Sequence, residues 1–560
     1  MGKISKSVHE VMAKQKQKLN LGCGLDYKQG WINIDAVAEV HPDLIHDLNQ
    51  PLPFENGSVD EILAQDILEH FTKEDLESVV GEISRVLSTG GKLMVRVPNL
   101  DDIIERFSDD KEVRNEFLYG TTAQTGIFGA HKVGLTAQSI VALMLEHGLT
   151  VEKIDPQETN FWLEFRKEKT IKRLKSITFI NQTLGMGGAE SFLGDLLEQL
   201  SQRIEVNIFT TNKIWVNELK HRKLKAQSIP VVIDVIGNWK GLLKAVVLFP
   251  YALVVYTKLV FNNKSELILL SGFPEKVLVS LLSKIKNIPV VWIDFAPLQS
   301  IFIKFFRFPK LLYFLAKAIP IKVIVPTVST KNLLISQAHI SLAKMAVIAC
   351  GRRIDRSKYQ NIKKQKGLIV CVSRLEPGKG QDLLIQAMPL ILKKNPQAKL
   401  VIVGEGDFAT QLNKLIKTLK LENQVTLLGR VLDPLTIMAQ AEVCVFPSVW
   451  QLEGFGLVTI EAMALGKTVV GFDRTPTNEI IHHQQNGLLA KNNDIKDLAS
   501  QILVLLSDPK LANKLGKHAA QDFAQHYTIE AVAEQYLREL NKAFVWHHAA
   551  MILEKLGVTL

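Results

Sequence analysis

Three times along this chain a short aliphatic run leads directly into a glycine-bearing turn and then into a helical pattern. The first is Leu19-Asn-Leu-Gly-Cys-Gly24. The second is Ile177–Ile180 followed by Thr183-Leu-Gly-Met-Gly-Gly-Ala-Glu190. The third is Gly367-Leu-Ile-Val-Cys-Val-Ser373 followed by Arg374-Leu-Glu-Pro-Gly-Lys-Gly380. A buried parallel strand reads as a continuous apolar run, and glycine lets the backbone turn sharply into the next helix. Each restart therefore marks a new α/β module, and 560 residues hold three or four domains of ordinary size. No short fixed-period repeat and no low-complexity tract competes with this reading.

The first module covers residues 1–166. Its strands are expected at Lys18–Leu21, Trp31–Asp35, Glu61–Ala64, Lys92–Val97 and Thr150–Ile154, with an amphipathic helix over Lys73–Leu87. A basic linker, 167–175, precedes a second module at 176–355. A third module, 356–560, ends in helices from Asp494 onward. Charge divides at the same place. Residues 1–170 hold 18 Lys/Arg against 28 Asp/Glu, whereas 171–560 hold 49 against 29. A sign change of this size separates modules with different surroundings. The four cysteines form no CxxC pair, which argues against a disulfide scaffold or zinc finger and fits a reducing compartment.

Met1–Lys18 is polar and Lys-rich, with no apolar core of a signal peptide. Leu242–Phe261 has spanning length, but Lys244, Pro250 and Lys258 interrupt it, so a buried or surface-docked helix is the expectation. Residues 295–354 contain nine Lys/Arg and no acid. Within them, 300–318 interleaves phenylalanines and leucines with Lys304, Arg307, Lys310 and Lys317. That mixture points to an anionic bilayer surface rather than nucleic acid, for which no motif is present.

In the first module the Gly22-Cys-Gly24 turn is followed after 11 residues by Asp35 at the end of Trp31-Ile-Asn-Ile-Asp35. A carboxylate there can accept hydrogen bonds from both ribose hydroxyls, and the short spacing counts against a nicotinamide dinucleotide. Next come His46-Asp-Leu-Asn-Gln-Pro-Leu-Pro-Phe54, Gly57-Ser-Val-Asp60, Ile67-Leu-Glu-His-Phe71 and Glu82-Ile-Ser-Arg-Val-Leu-Ser-Thr-Gly-Gly91. In this order they resemble the small class I S-adenosylmethionine-dependent methyltransferases, over about 150 residues. The resemblance implies a Rossmann-like domain with S-adenosylmethionine over Gly22 and Gly24 and its ribose on Asp35. It puts Asp47 near the adenine and Gln65 or Asp66 at the end of the fourth strand. Two departures are that no third glycine follows Gly24 and that no insertion forms a lid. Methyl transfer needs positioning and, for a hydroxyl acceptor, a base; His70 and His131 are the candidates.

The second module's glycine-rich loop opens onto a helix and offers free N–H groups to an anion. In the third, Arg374 and Lys379 stand five apart on one strand-to-helix loop and can converge on a diphosphate leaving group. Glu453-Gly-Phe-Gly-Leu-Val-Thr-Ile-Glu461 sets two glutamates eight apart across a loop and a helix start. Together these resemble glycosyltransferase family 4, retaining enzymes built as two facing Rossmann-like domains (the GT-B fold), over roughly 176–540. The resemblance implies that Arg374 and Lys379 hold the donor diphosphate, that Glu453 contacts the donor sugar, and that Glu461 contacts the ribose. It adds the amides of Phe455, Gly456 and Leu457, with Gly187 and Gly188 approaching from the other domain. Asp294 stands where the family often has a histidine, and either takes that place or caps the next helix. Ile348-Ala-Cys-Gly351 lacks the family's usual Asn before Gly. No Asp-x-Asp occurs, so no metal is expected on the diphosphate.

The combined expectation is an α/β chain: a bifunctional enzyme in cell-surface polysaccharide synthesis. A methyltransferase precedes a retaining glycosyltransferase that moves a sugar from a nucleotide-sugar to a glycan or lipid-linked acceptor. The expected location is the cytoplasm, with contact at the inner face of the membrane. Three alternatives stay open: an inactive methyltransferase-like docking domain, a GT-B sugar phosphorylase, and a glycan-binding scaffold. S-adenosylmethionine binding, phosphate-dependent turnover and the loss of activity in Glu461→Ala or Lys379→Ala discriminate among them.

Overall fold

The computed structural model describes residues 17–558 apart from 112–113, 116–118, 120–130, 184, 186, 235–238, 296–301, 303 and 451–452. The expectation for Met1–Lys18 therefore falls almost wholly outside the described residues, as does the start of the 300–318 stretch. The chain makes two compact units. One is Met1–Arg173 with Asn541–Leu560, and the other is Leu174–Leu540. The last helix, Ile529–Lys555, thus contributes its final turns to the first unit. There Gln138 donates to the Trp546 carbonyl at 3.0 Å.

The first unit is built on a seven-stranded sheet: β1 Gln17–Leu21, β2 Ile32–Asp35, β3 Leu44–Ile45, β4 Val59–Gln65, β5 Leu87–Pro98, β6 Leu149–Gln157 and β7 Asn160–Lys167. Their order is β3-β2-β1-β4-β5-β7-β6. The first five are parallel, while β7 runs antiparallel to both β5 and β6. β7 was not among the expected strands. Its sequence alternates Phe161, Leu163 and Phe165 inward with partly exposed neighbours between them, the period-two pattern of a half-buried strand.

The larger unit carries two further sheets. One holds β8 Ser176–Asn181, β9 Glu205–Thr210, β10 Lys225–Ser228, β11 Leu267–Leu270, β12 Val290–Ile293, β13 Lys322–Val325 and β14 Met345–Val347, in the order β10-β9-β8-β11-β12-β13-β14. The other holds β15 Leu368–Val372, β16 Lys399–Val403, β17 Val425–Gly429, β18 Val443–Phe446, β19 Val469–Phe472 and β20 Gly487–Ala490, in the order β17-β16-β15-β18-β19-β20. Every pairing in both is parallel. Strands such as Leu267–Leu270 and Val443–Phe446 are buried throughout, as strands covered on both faces must be. All four cysteines are buried free thiols.

Among the parallel strands of each sheet the order reverses at one point, between β1 and β4, β8 and β11, and β15 and β18. Loops leaving adjacent strands there turn to opposite faces and open a crevice at the carboxyl ends, where ligands of such sheets bind. The glycine turns read from the sequence all follow one of these strands.

The Leu242–Phe261 stretch is a helix, Trp239–Phe261, with Pro250 inside it. It is the one helix among the described residues long and apolar enough to cross a membrane, and only 22% of its apolar window is buried. Ala245, Ala252, Tyr256 and Val260 pack inward, while Leu243, Val246, Val247 and Val254 are exposed.

Candidate functional sites

At the β1/β4 crevice, Gly22 takes φ +61°, and a β-carbon on it would stand 2.6 Å from Ile67 Cγ1. The turn after β1 therefore lies directly against the loop after β4, an approach that only glycine permits. Asp35 ends β2 and organises the turn. Its Oδ2 accepts from Gly24 N at 2.8 Å and its Oδ1 from Val37 N at 2.9 Å. Each carboxylate oxygen keeps a second lone pair for a ribose hydroxyl. Asp47 is exposed and accepts from Asn49 N at 2.9 Å, closing its own turn. Asp66, at φ +51°, is paired with Arg96, whose Nε donates to Oδ1 at 2.9 Å. Gln65, with its amide oriented to suit, accepts from the same guanidinium. The two residues expected at the strand end are thus held by one arginine from β5.

His70 and His131, though 61 positions apart in sequence, come together with ring centroids 5.1 Å apart. Between them the structure adds Glu69, a residue quoted within the sequence motif but not singled out there. Glu69 is 2% exposed, and burial pushes its carboxyl up to about 8.

At the β15/β18 crevice, Lys379 and Glu453 meet. Lys379 Nζ donates to Glu453 Oε2 at 2.7 Å, and Ser448 Oγ donates to the same oxygen at 2.8 Å. Both charged side chains are nearly enclosed, at 9% and 12% exposure. Trp450 lies under the cation, with Lys379 Nζ 4.3 Å from the ring centroid. Arg374 approaches the same ring at 5.4 Å, pairs with Glu376 and is otherwise open to solvent. Gly380 takes φ +77° and sits so close to the Pro447 carbonyl that a β-carbon has no room. This contact joins the loops after β15 and β18.

Two helix N-termini converge on this place. Gly456 caps helix Leu457–Ala464, and Gly187 caps helix Gly188–Leu200. A β-carbon on Gly188 would be 3.1 Å from Leu457 Cδ1, so the two starts are in contact. The positive dipole ends of both helices therefore lie close to one another. Glu190 folds back on its loop, accepting from Gly187 N at 2.9 Å and Thr183 Oγ1 at 2.7 Å.

Glu461, on the second turn of its helix, accepts from Arg352 Nε at 3.0 Å. Burial raises the Glu461 carboxyl, and Arg352 opposes that rise. Arg352 Nη1 also donates to Ser191 Oγ at 2.6 Å and Asp195 Oδ2 at 3.0 Å. One guanidinium so ties the two halves of the larger unit together. Arg352 was not anticipated; the only sequence signal was the Arg352-Arg353 pair just after Gly351. Asp294 behaves differently from the rest. Its carboxylate is enclosed at 4% exposure, accepting from Lys276 Nζ at 2.6 Å and from the Tyr313 hydroxyl at 3.4 Å. Its neighbour Phe295 reaches Gly454 with its carbonyl, but the Asp294 side chain is not among the groups brought to Lys379 and Glu453.

Comparison with known proteins adds to this geometry. Residues 353–522 match the family described as Glycosyl transferases group 1, and residues 7–95 match a Methyltransferase domain family. The chain joins a methyltransferase-like domain to a unit of GT-B fold whose second half matches the glycosyl transferases group 1 model. It is similar to the poly(ribitol-phosphate) alpha-N-acetylglucosaminyltransferase of Staphylococcus aureus, 34% identical over 171 residues, covering 30% of this chain and 34% of that protein. It is also 30% identical over 175 residues to a GDP-mannose-dependent monoacylated alpha-(1-6)-phosphatidylinositol monomannoside mannosyltransferase of Corynebacterium glutamicum, covering 30% and 45%. The matches span about a third to a half of these relatives' own lengths. Among solved structures, Anabaena HepE in complex with UDP and glucose superposes with a TM-score of 0.54. It is 23% identical, covering 66% of this chain and 99% of HepE, a likeness of fold.

Proposed function

We propose that the larger unit is a retaining glycosyltransferase that uses a nucleoside-diphosphate sugar. The observation that carries this is the Lys379–Glu453 pair at the β15/β18 crevice, facing two helix N-termini from opposite halves. A donor diphosphate seated there meets the ammonium of Lys379, the guanidinium of Arg374 and the free amides of Phe455, Gly456 and Leu457. As the bond from the sugar's anomeric carbon to the diphosphate oxygen breaks, negative charge grows on that oxygen. Fixed cations and dipoles in a partly dehydrated site stabilise such charge without reorganising. Glu453, released from Lys379 by the phosphate, orients the sugar. Glu461 takes the ribose while Arg352 keeps it ionised. Relatives bearing UDP in a solved structure or GDP-mannose in their names support a nucleotide-sugar donor of either base.

The acceptor is a glycan or lipid-linked molecule in cell-surface polysaccharide synthesis. Val247 and Leu243 on helix Trp239–Phe261 are exposed, as are Phe306, Leu311 and Leu315, and both segments carry cations, Lys240 and Lys244 in one and Lys304 and Arg307 in the other. Trp239 packs on Phe305 at 4.8 Å, joining the two segments. Such residues favour the cytoplasmic face of an anionic bilayer. The smaller unit binds S-adenosylmethionine over Gly22, Gly24 and Asp35 and methylates a related substrate.

The decisive test is release of nucleoside diphosphate from a panel of UDP- and GDP-sugars, with and without glycan and polyprenyl-linked acceptors. Release from one donor, stimulated by acceptor and independent of inorganic phosphate, is expected. Turnover that requires phosphate would make the unit a phosphorylase, and none with any donor would sink the reading. In parallel, S-adenosylhomocysteine titration is expected to give micromolar binding, and no binding would leave the smaller unit a docking domain.

A further inference from the structure

The geometry points to a transition-metal site made by Glu69, His70 and His131 in the smaller unit. One ligand atom from each, a carboxylate oxygen and two imidazole nitrogens, lies within 4.8 Å of the others. Small side-chain rotations suffice to bring three such atoms onto one ion at ordinary bond lengths of about 2.0–2.2 Å. The backbone already fixes their proximity. Glu69 and His70 sit in the short turn Leu68–His70 after β4, and the N–H groups of Lys132 and Val133 donate to the Glu69 carbonyl at 2.8 and 3.2 Å. The segment bearing His131 is thereby pinned to the turn bearing the other two.

A second observation is independent of that spacing. The Glu69 side chain is buried at 2% exposure, and its Oε2 has no hydrogen-bond partner. A buried carboxylate is costly unless it is paired or coordinates a metal. The nearby cation, Arg96, is held by Asp66 instead. Two imidazoles and one carboxylate suit Zn²⁺, Co²⁺, Fe²⁺ or Mn²⁺ and favour them over Mg²⁺, and three protein ligands leave positions open. The missing Asp-x-Asp bears on the diphosphate in the larger unit and has no bearing here.

The place of the site suggests its use, which rests on the methyl-transfer reading, whereas ion binding does not. Ile67, two residues before Glu69, touches the Gly22 turn. An acceptor hydroxyl coordinated at an open position would lose its proton to water more easily. Its oxygen then forms a bond to the methyl carbon as the carbon–sulfur bond breaks, and S-adenosylhomocysteine leaves as a neutral thioether. On this view His70 and His131 hold the ion rather than act as free bases.

The test uses the untagged full chain, stripped with EDTA and titrated with Co²⁺ by calorimetry and visible absorption. One equivalent is expected to bind with a Kd in the micromolar range or tighter, with d–d bands of imidazole ligation. Affinity should fall at least tenfold in His131→Ala and in Glu69→Gln, and Mg²⁺ should bind at least tenfold more weakly than Co²⁺. Absence of stoichiometric uptake by the wild-type chain overturns the proposal, as does uptake unchanged in both variants. Circular dichroism reports their folding, and if either unfolds, the wild-type titration and spectrum decide. S-adenosylhomocysteine titration of the stripped wild type is a separate readout, so failure of the metal site and failure of the methyltransferase reading are told apart.

Discussion

Replacing Lys379 with alanine removes the enclosed cation proposed for the donor diphosphate. Its Nζ lies 2.7 Å from Glu453 Oε2 with both side chains nearly enclosed. At an effective dielectric constant of about 20 that separation gives a gross attraction of about 6 kcal/mol. The net loss on truncating one partner of a buried pair is smaller, about 3–5 kcal/mol, because the remaining charge keeps Ser448 and gains water. On the donor side, losing one preorganised charge contact to a developing oxyanion lowers kcat by about 10²–10³-fold. A purely structural lysine would also lower activity, so binding must separate the roles. Calorimetry with the preferred nucleoside diphosphate and the matching monophosphate does so. Lys379→Ala is expected to weaken the diphosphate roughly 100-fold, since a hydrogen bond to a charged group is worth about 1.5–3 kcal/mol, and to leave the monophosphate within threefold. Equal weakening of both, or a diphosphate affinity unchanged by the substitution, refutes the assignment.

Three further outcomes follow from the geometry. Asp35→Ala should weaken S-adenosylhomocysteine by about 10–100-fold, through lost charged hydrogen bonds and a loosened Gly24 turn, while Asp47→Ala changes it little; calorimetry checks both. Gly380→Ala forces a β-carbon into the Pro447 carbonyl at a positive φ. It should abolish nucleoside-diphosphate binding while S-adenosylhomocysteine binding persists, and a normal donor affinity would show that the crevice adapts. Glu275 is fully buried, and burial raises its carboxyl from 4.5 to about 7. The folded state therefore holds a proton that the unfolded chain has released, so stability falls as pH rises from about 4.5 to 7, by roughly 3 kcal/mol at the upper end. Glu275→Gln should flatten that slope, and urea midpoints at pH 5 and 7.5 that fall in parallel for both proteins would contradict it.

Much of the fold was legible because its signals are local. Apolar runs such as Leu368–Val372, glycines in turns that demand positive φ, and a helix start flanked by Glu453 and Glu461 all act over a few residues. Periodicity and backbone sterics alone then dictate strand, turn and helix, and with them the strands of the three sheets and the loops that carry Gly22, Gly380 and Lys379. Tertiary structure decided where the charges point. Asp294 was placed correctly at a strand end, yet its carboxylate turns inward because Lys276, eighteen residues earlier, supplies a buried partner. Arg352 finds Asp195 and Glu461 across 157 and 109 residues, and Glu69 meets His131 only because the loop before helix Ala137–Glu146 is pinned to the turn after β4. Pairings of that kind depend on which strands lie side by side and on which groups are cut off from water. The amino-acid sequence by itself established the residue types and their local frames; sheet order and burial determined which of them could act together.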